Sequence, residues 1–156
     1  MLLPFFEWCE ATALGTAVRQ SVWAFPVIEA VHLLGLSLLG GSLLIVDLRL
    51  LGVGLTRQPV AELARHARPW LLASVAVMLG TGVLLFLSEA VKCYYNTAFW
   101  VKITTLPVAL AYTFAVRERV ARAPERDTSA LTRMVAVASL LLWLTVAAAG
   151  RWIGYS

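Results

Sequence analysis

Four long apolar stretches divide the chain, at about residues 22–46, 70–88, 98–116 and 131–150. None alternates apolar and polar positions with period two, which argues against the strands of a membrane β-barrel. Each is near the ~20 residues a helix needs to cross ~30 Å of hydrocarbon. The pattern predicts an all-α integral membrane four-helix bundle, a single domain over 1–156. Pro69 stands where a proline begins a helix, so the second span is expected to start at Trp70. Pro107, after Thr104 and Thr105, predicts a kink in the third. Residues 4–20 mix Phe5, Phe6, Trp8 and Cys9 with Glu7, Glu10, Arg19 and Gln20. That mixture predicts a short N-terminal helix lying along the membrane interface. Residues 117–130 form the one tract expected to be solvent-exposed throughout, with Asp127 or Thr128 capping the fourth helix.

Composition agrees with burial in lipid. Hydrophobic residues make up 60%, charged residues 14%, and the mean hydropathy is +0.80. A soluble domain carries about 25% charged residues, so there is too little polar surface here for a water-soluble globule. The net charge of +4 does not point to nucleic acid, because the basic residues cluster in connections. Arg49, Arg57, Arg65, Arg68, Arg117, Arg119, Arg122, Arg126 and Arg133 fall on one side of the four spans. Arg19, Lys92, Lys102 and Arg151 fall on the other. Positive residues gather on the cytoplasmic side, so both termini are expected outside. Trp23, Trp100 and Trp152 near the outer ends and Trp70 near an inner one fit an interfacial belt, whereas Trp143 lies deeper and is expected to pack. The start carries no Lys or Arg, so the first span is expected to act as an uncleaved insertion signal. Cys9 and Cys93 are expected to be buried small residues, not a disulfide.

The candidate chemistry sits inside the spans. Glu29 and His32, three residues apart, share one helix face. At ~1.5 Å per residue they lie ~9 Å and ~14 Å below Trp23. An ionisable group at that depth faces protein, water or a ligand. Lys102, Glu89 and Lys92 lie near the same level, and a Glu29–Lys102 pair is geometrically accessible. A structural ion pair, a cofactor or metal site, and an ion pathway all remain open. His32 and His66 are the only histidines, but they are separated by ~20 Å along the membrane normal, too far for one haem iron. Met78 comes near the level of His32, so a His32–Met78 axial pair on haem b is one possibility; His32 from two copies is another. Glu29-x-x-His32 is also half of a di-iron motif, without a second half. At the inner end, Asp47 and Arg49 close the first span, and Asp47 is expected to pair with Arg65 or Arg68. Small residues, Gly35, Ser37, Gly40, Gly41, Gly80, Gly82, Ala136, Ser139 and 147–150, predict close helix approach.

The stretch from Glu7 to Gly52 resembles an uncharacterised family of small four-span bacterial inner-membrane proteins, loosely similar to copper-resistance D proteins. The resemblance rests on Ser21, Trp23, Pro26, Glu29, His32 and the run Asp47 to Gly52. It implies four spans and singles out Glu29 and His32. Two histidines and two cysteines argue against copper transport. The expected function is a cofactor-holding or electron-transfer module, or the membrane anchor of a redox complex. A small transporter or channel and a non-catalytic assembly subunit are the alternatives. The expected partners are the lipid bilayer and either further copies of the chain or other subunits.

Overall fold

A computed structural model of the protein describes residues 2–55, 57–123 and 129–155. All regular structure among them is helical. Helices α1 (Leu3–Glu10) and α2 (Ala13–Gln20) precede α3 (Ala24–Leu51), α4 (Val60–Ser88) and the short α5 (Ala90–Tyr95). Helix α6 (Thr97–Tyr112) runs through a π-turn at Thr113–Arg117 into α7 (Glu118–Arg122), and α8 (Ala130–Ile153) ends the chain. Four helices are long and apolar enough to cross a membrane: Ala24–Leu51, Val60–Ser88, Thr97–Arg122 and Ala130–Ile153.

The distribution of side chains is that of a bundle in lipid. Leu34, Leu44, Leu72, Val83, Ile103, Leu141 and Leu144 lie exposed on the long helices. Ser42, Asp47, Ser74, Thr113, Arg117 and Ser139 are buried. Apolar surface on this scale does not face water in a monomer. Inside, the serines donate to carbonyls of their own helices, Ser42 to Leu38 and Ser74 to Leu71. Among the described residues no buried side-chain nitrogen or oxygen lacks a partner, as a span without water requires.

Lengthwise packing runs α4–α3–α8–α6. Helices α4 and α6 share little backbone contact but meet through side chains, Phe86 stacking on Phe99 with ring centroids 5.6 Å apart. They are tied at one end through α7 and at the other through α5. The first tie lies at the arginine end, with the exposed Arg57, Arg65, Arg119 and Arg122. The second lies at the cap end, where α1 and α2 fold onto the bundle. The central core joins Leu39, Leu43, Leu71, Ala109, Trp143 and Val146.

Several expectations are corrected. Helix α4 begins at Val60 behind Pro59, and Pro69 lies inside it. The segment 4–20 holds two helices where one was expected, with Phe6, Cys9, Gly15 and Val18 buried and Phe5, Trp8 and Leu14 exposed. The cap of α8 is Ser129, whose hydroxyl accepts from Thr132 N–H; Asp127 and Thr128 lie outside the described residues. A methyl group on Gly40, Gly41 or Gly80 would meet nothing within 4 Å, so these glycines serve no close approach within the chain. Gly35 does: a Cβ there would stand 3.1 Å from Val77 Cγ1. Cys9 and Cys93 are free and buried, as expected.

Candidate functional site

Two polar centres lie inside the bundle. The first, toward the arginine end, is built on Asp47 of α3. Its Oδ1 accepts from Arg117 Nε at 2.6 Å, and its Oδ2 accepts from Ser139 Oγ at 2.7 Å. Arg117 also donates through Nη2 to the Leu43 carbonyl at 3.0 Å, and its Nη1 lies 3.5 Å from Glu118. Asp47 is 0% and Arg117 1% exposed. Glu118 is shared further with Arg122 and, at 4.0 Å, with Arg68. Trp143 Nε1 donates to Thr113 Oγ1 at 3.0 Å beside the same turn. Every charge here has an opposite charge and each oxygen of the Asp47 carboxylate a donor, so the centre locks α3, the π-turn and α8 together.

Asp47 therefore does not pair with Arg65 or Arg68. Arg65 is exposed, Arg68 reaches only Glu118, and Arg49 donates to the Gln58 carbonyl. Arg117, expected in a solvent-exposed connection, is the partner instead. The reason is the π-turn. At about 100° per residue an α-helix would set Arg117 about 80° around from the buried Ala109. A π-turn rotates less per residue, which returns Arg117 to the interior face. Replacing Trp143 by phenylalanine removes the donor to the Thr113 hydroxyl and leaves a small void in the central core. A loss of about 1 kcal/mol is expected, measurable as a lowered unfolding midpoint in micelles.

Further polar side chains lie nearer the cap end: His32 with Thr81 between α3 and α4, and Lys102 between α6 and α8. His32 projects from α3 between α3 and α4, half-buried. Its Nδ1 lies 2.7 Å from Thr81 Oγ1. The Thr81 hydroxyl donates its single proton to the Val77 carbonyl at 2.6 Å. Thr81 Oγ1 can then only accept, so His32 carries its proton on Nδ1 and keeps a lone pair on Nε2. The ring edge lies over Gly82, where a Cβ would stand 3.5 Å from Cε1. Lys102, half-buried, lies on α6. Its Nζ rests against α8 at Gly150, 3.4 Å from where a Cβ would be. No carboxylate among the described residues lies within ion-pair distance of Lys102.

The structure separates residues that the sequence grouped. Glu29 is exposed and makes no ion pair with Lys102. It lies about 120° around α3 from the buried Gly35 at ~100° per residue, so it points away from the bundle. Glu89 and Lys92 pair with one another at 3.8 Å near the cap end. His66 is exposed on α4, fifteen residues (81 − 66) and ~22 Å from the level of Thr81 and His32. Met78 is packed, with its Cγ and Sδ 3.4 Å from a Cβ at Gly35. Helices α3 and α4 touch there, so a macrocycle held between His32 and Met78 has no slot. No group of three His, Cys, Asp or Glu able to hold a metal occurs among the described residues.

The cap end contains the remaining geometry. Phe6 packs against Phe86, Tyr94, Phe99 and Trp100 with ring centroids 5.2–6.1 Å apart. Glu10 pairs with Arg19 at 2.8 Å and accepts from Val91 N–H at 2.7 Å, fixing α1 and α2 to the start of α5. A surface cleft of about 600 Å³ lies beside this cluster, lined by Leu2, Tyr94, Tyr95, Thr97 and Trp100. It does not reach His32.

Residues 5–156 match the model of a family of unknown function, DUF6644. No curated protein and no solved structure matches. The similarity to copper-resistance proteins expected from the first half of the chain thus has no counterpart.

Proposed function

The chain belongs to DUF6644, a family of unknown function, and from that premise we propose that it is a membrane-embedded electron-transfer module. It holds a redox-active group at His32 and Lys102. One observation carries this reading: the hydrogen-bond chain His32–Thr81–Val77 leaves the Nε2 lone pair free in a bundle whose Lys102 has no carboxylate among the described residues within ion-pair distance. A histidine whose other nitrogen is fixed by a hydrogen bond is oriented to bind a metal or to accept a proton. An ammonium inside a span calls for a counter-charge or an electron-rich oxygen. The satisfied Asp47–Arg117 centre offers neither, which favours the His32 centre as the working one.

The same considerations give the setting. The arginine end faces the cytoplasm and the cap end the outside of a bacterial inner membrane, by the excess of arginines in the two connections at the arginine end. Glu29 lies exposed on α3, on a helix whose Ser37 and Gly41 also face outward. A carboxylate ~9 Å below the interface does not face acyl chains, so that side of α3 takes a partner subunit or a second copy. The module thereby serves as the anchor of a larger redox assembly.

Protein extracted in mild detergent is expected to carry a redox group visible in its absorption spectrum or in an organic extract, lost in His32→Ala. A folded preparation without haem, flavin or quinone, which takes up neither added haemin nor decylubiquinone, overturns the proposal.

A further inference from the structure

We infer that the junction of α4 and α7, at the arginine end, binds the phosphate of an acidic phospholipid. Small residues bring the two helices together: Ala64 and Ala121 are each 1% exposed and share one apolar cluster. Arginines flank that contact. Arg122 Nη2 donates to Glu118 Oε2, and Arg68 Nε lies 4.0 Å from the same oxygen. The other oxygen, Oε1, lies 3.5 Å from Arg117 Nη1. One buried carboxylate thus gathers three guanidinium groups, from α4, the π-turn and α7. Arg117 is already balanced by Asp47. Arg68 and Arg122 are left to share Glu118, and their side chains stay half-exposed.

Like charges held at one point call for a further anion. Arg65 stands three residues before Arg68, and Arg119 three before Arg122, each sharing a helix face with its neighbour. Both are exposed, with no acid among the described residues within ion-pair distance. On α4 and α7, four arginines stand against two carboxylates, Glu118 and the exposed Glu62. The depth fits a headgroup. Trp70 is exposed on α4, at the level of an interfacial aromatic belt. Arg68 lies ~3 Å and Arg65 ~7.5 Å beyond it toward the arginine end. Guanidinium groups hold phosphate oxygens by paired, charge-assisted hydrogen bonds. Glu118 lies beneath the two half-exposed arginines, so a phosphate approaches from their outer side. Basic pockets between spans take anionic headgroups in this way. A choline headgroup would bring its own cation into the cluster. Thirteen residues of α4 (81 − 68), about 20 Å, separate Arg68 from Thr81, so the site is independent of what His32 holds.

The full chain, purified in dodecyl maltoside and washed free of native lipid, is titrated with dioleoyl phosphatidylglycerol and followed by native mass spectrometry. A saturable lipid adduct is expected, about tenfold tighter than with dioleoyl phosphatidylcholine. Arg68→Gln weakens it about fivefold, and Arg68→Gln/Arg122→Gln about twentyfold, on the scale of one basic residue at an acidic surface. Arg57→Gln/Arg133→Gln removes as much charge from exposed positions at the same end, and leaves the adduct within about twofold of the parent. Arg68→Lys recovers only part of the loss, because an ammonium does not hold phosphate bidentately. If the Arg68/Arg122 variant does not fold, Arg68→Gln alone decides, since Arg68 meets its partner only at 4.0 Å. No preference over phosphatidylcholine overturns the inference, as does an equal loss in Arg57→Gln/Arg133→Gln. Displacement of the lipid by an equal concentration of inorganic phosphate would make the ligand a soluble anion and overturn the lipid.

Discussion

Asp47→Ala is expected to lower the stability of the bundle by about 3–5 kcal/mol, the cost of leaving a buried charge without its partner. Arg117 would keep its bond to the Leu43 carbonyl and a looser pairing with Glu118. It would lose the carboxylate at 2.6 Å, and Ser139 would lose its acceptor. In a span no water reaches in to compensate. Arg117→Ala should cost a similar amount, because Asp47 is then stranded at 0% exposure. The double variant Asp47→Leu/Arg117→Met should recover much of the loss, since well-packed apolar residues can replace a buried pair at little cost. Ser139→Ala should cost only about 1 kcal/mol. Thermal unfolding followed by tryptophan fluorescence in micelles measures all four. Single variants no worse than Ser139→Ala, or a double variant as unstable as the singles, would contradict the picture of a coupled pair. Because the pair joins α3 to the π-turn and α8, the loss should appear as one cooperative shift of the whole bundle.

The four spans were legible because lipid imposes a length and a composition that few other structures meet. The interior was legible only in part. Asp47 stood out as a charge near the end of an apolar run, but its partner could not be read from spacing. Arg117 sits in an arginine-rich string, and only a change of helical period turns it inward. Pro107, six residues before that π-turn, was the available signal of irregularity in this helix; a proline does not say where the register will slip. His32 and Lys102 were both singled out, yet the sequence joined Lys102 to Glu29. Two residues three apart share a broad face, but not the same contact: His32 is turned onto α4 and Glu29 is not. Thr81 was missed because a threonine in an apolar helix is ordinary until a histidine lies across from it. Gly15 was missed for a related reason. Nothing in Ala-Leu-Gly-Thr indicates that a carbonyl of another helix lies against the glycine.

That glycine decides whether the cap stays closed. A Cβ at Gly15 would stand 3.0 Å from the Leu87 carbonyl carbon, closer still to its oxygen, and 3.1 Å from the Glu10 carbonyl oxygen. These are backbone atoms, which cannot swing aside as a side chain can. Gly15→Val should therefore lift α2 from α4, at a cost of about 3 kcal/mol by the usual range for overpacking. Helix α1 would follow, because Glu10 and Arg19 hold the two together. Cys93 reports the opening. It is buried under Phe6 and Cys9, and burial, reinforced by Glu89 and opposed by Lys102 and Lys92, raises its thiol to about 11. At pH 8 only about one thiol in a thousand is then ionised, and the thiolate is the form that reacts. Released to water, with an ordinary value of 9.0, the thiolate fraction at pH 8 rises about a hundredfold. The sign for stability follows from the same shift. The closed cap holds the thiol proton more tightly than the open one, so the contribution is complete below pH 9 and declines as pH rises toward 11. A maleimide that cannot cross membranes should label Cys93 slowly in the parent protein, measured in a Cys9→Ala background. In Gly15→Val it should label about a hundred times faster at pH 8. Equal rates in the two proteins would mean that α1 and α2 do not cover this thiol. The cap would then have no part in sealing the end of the bundle nearest His32 and Lys102.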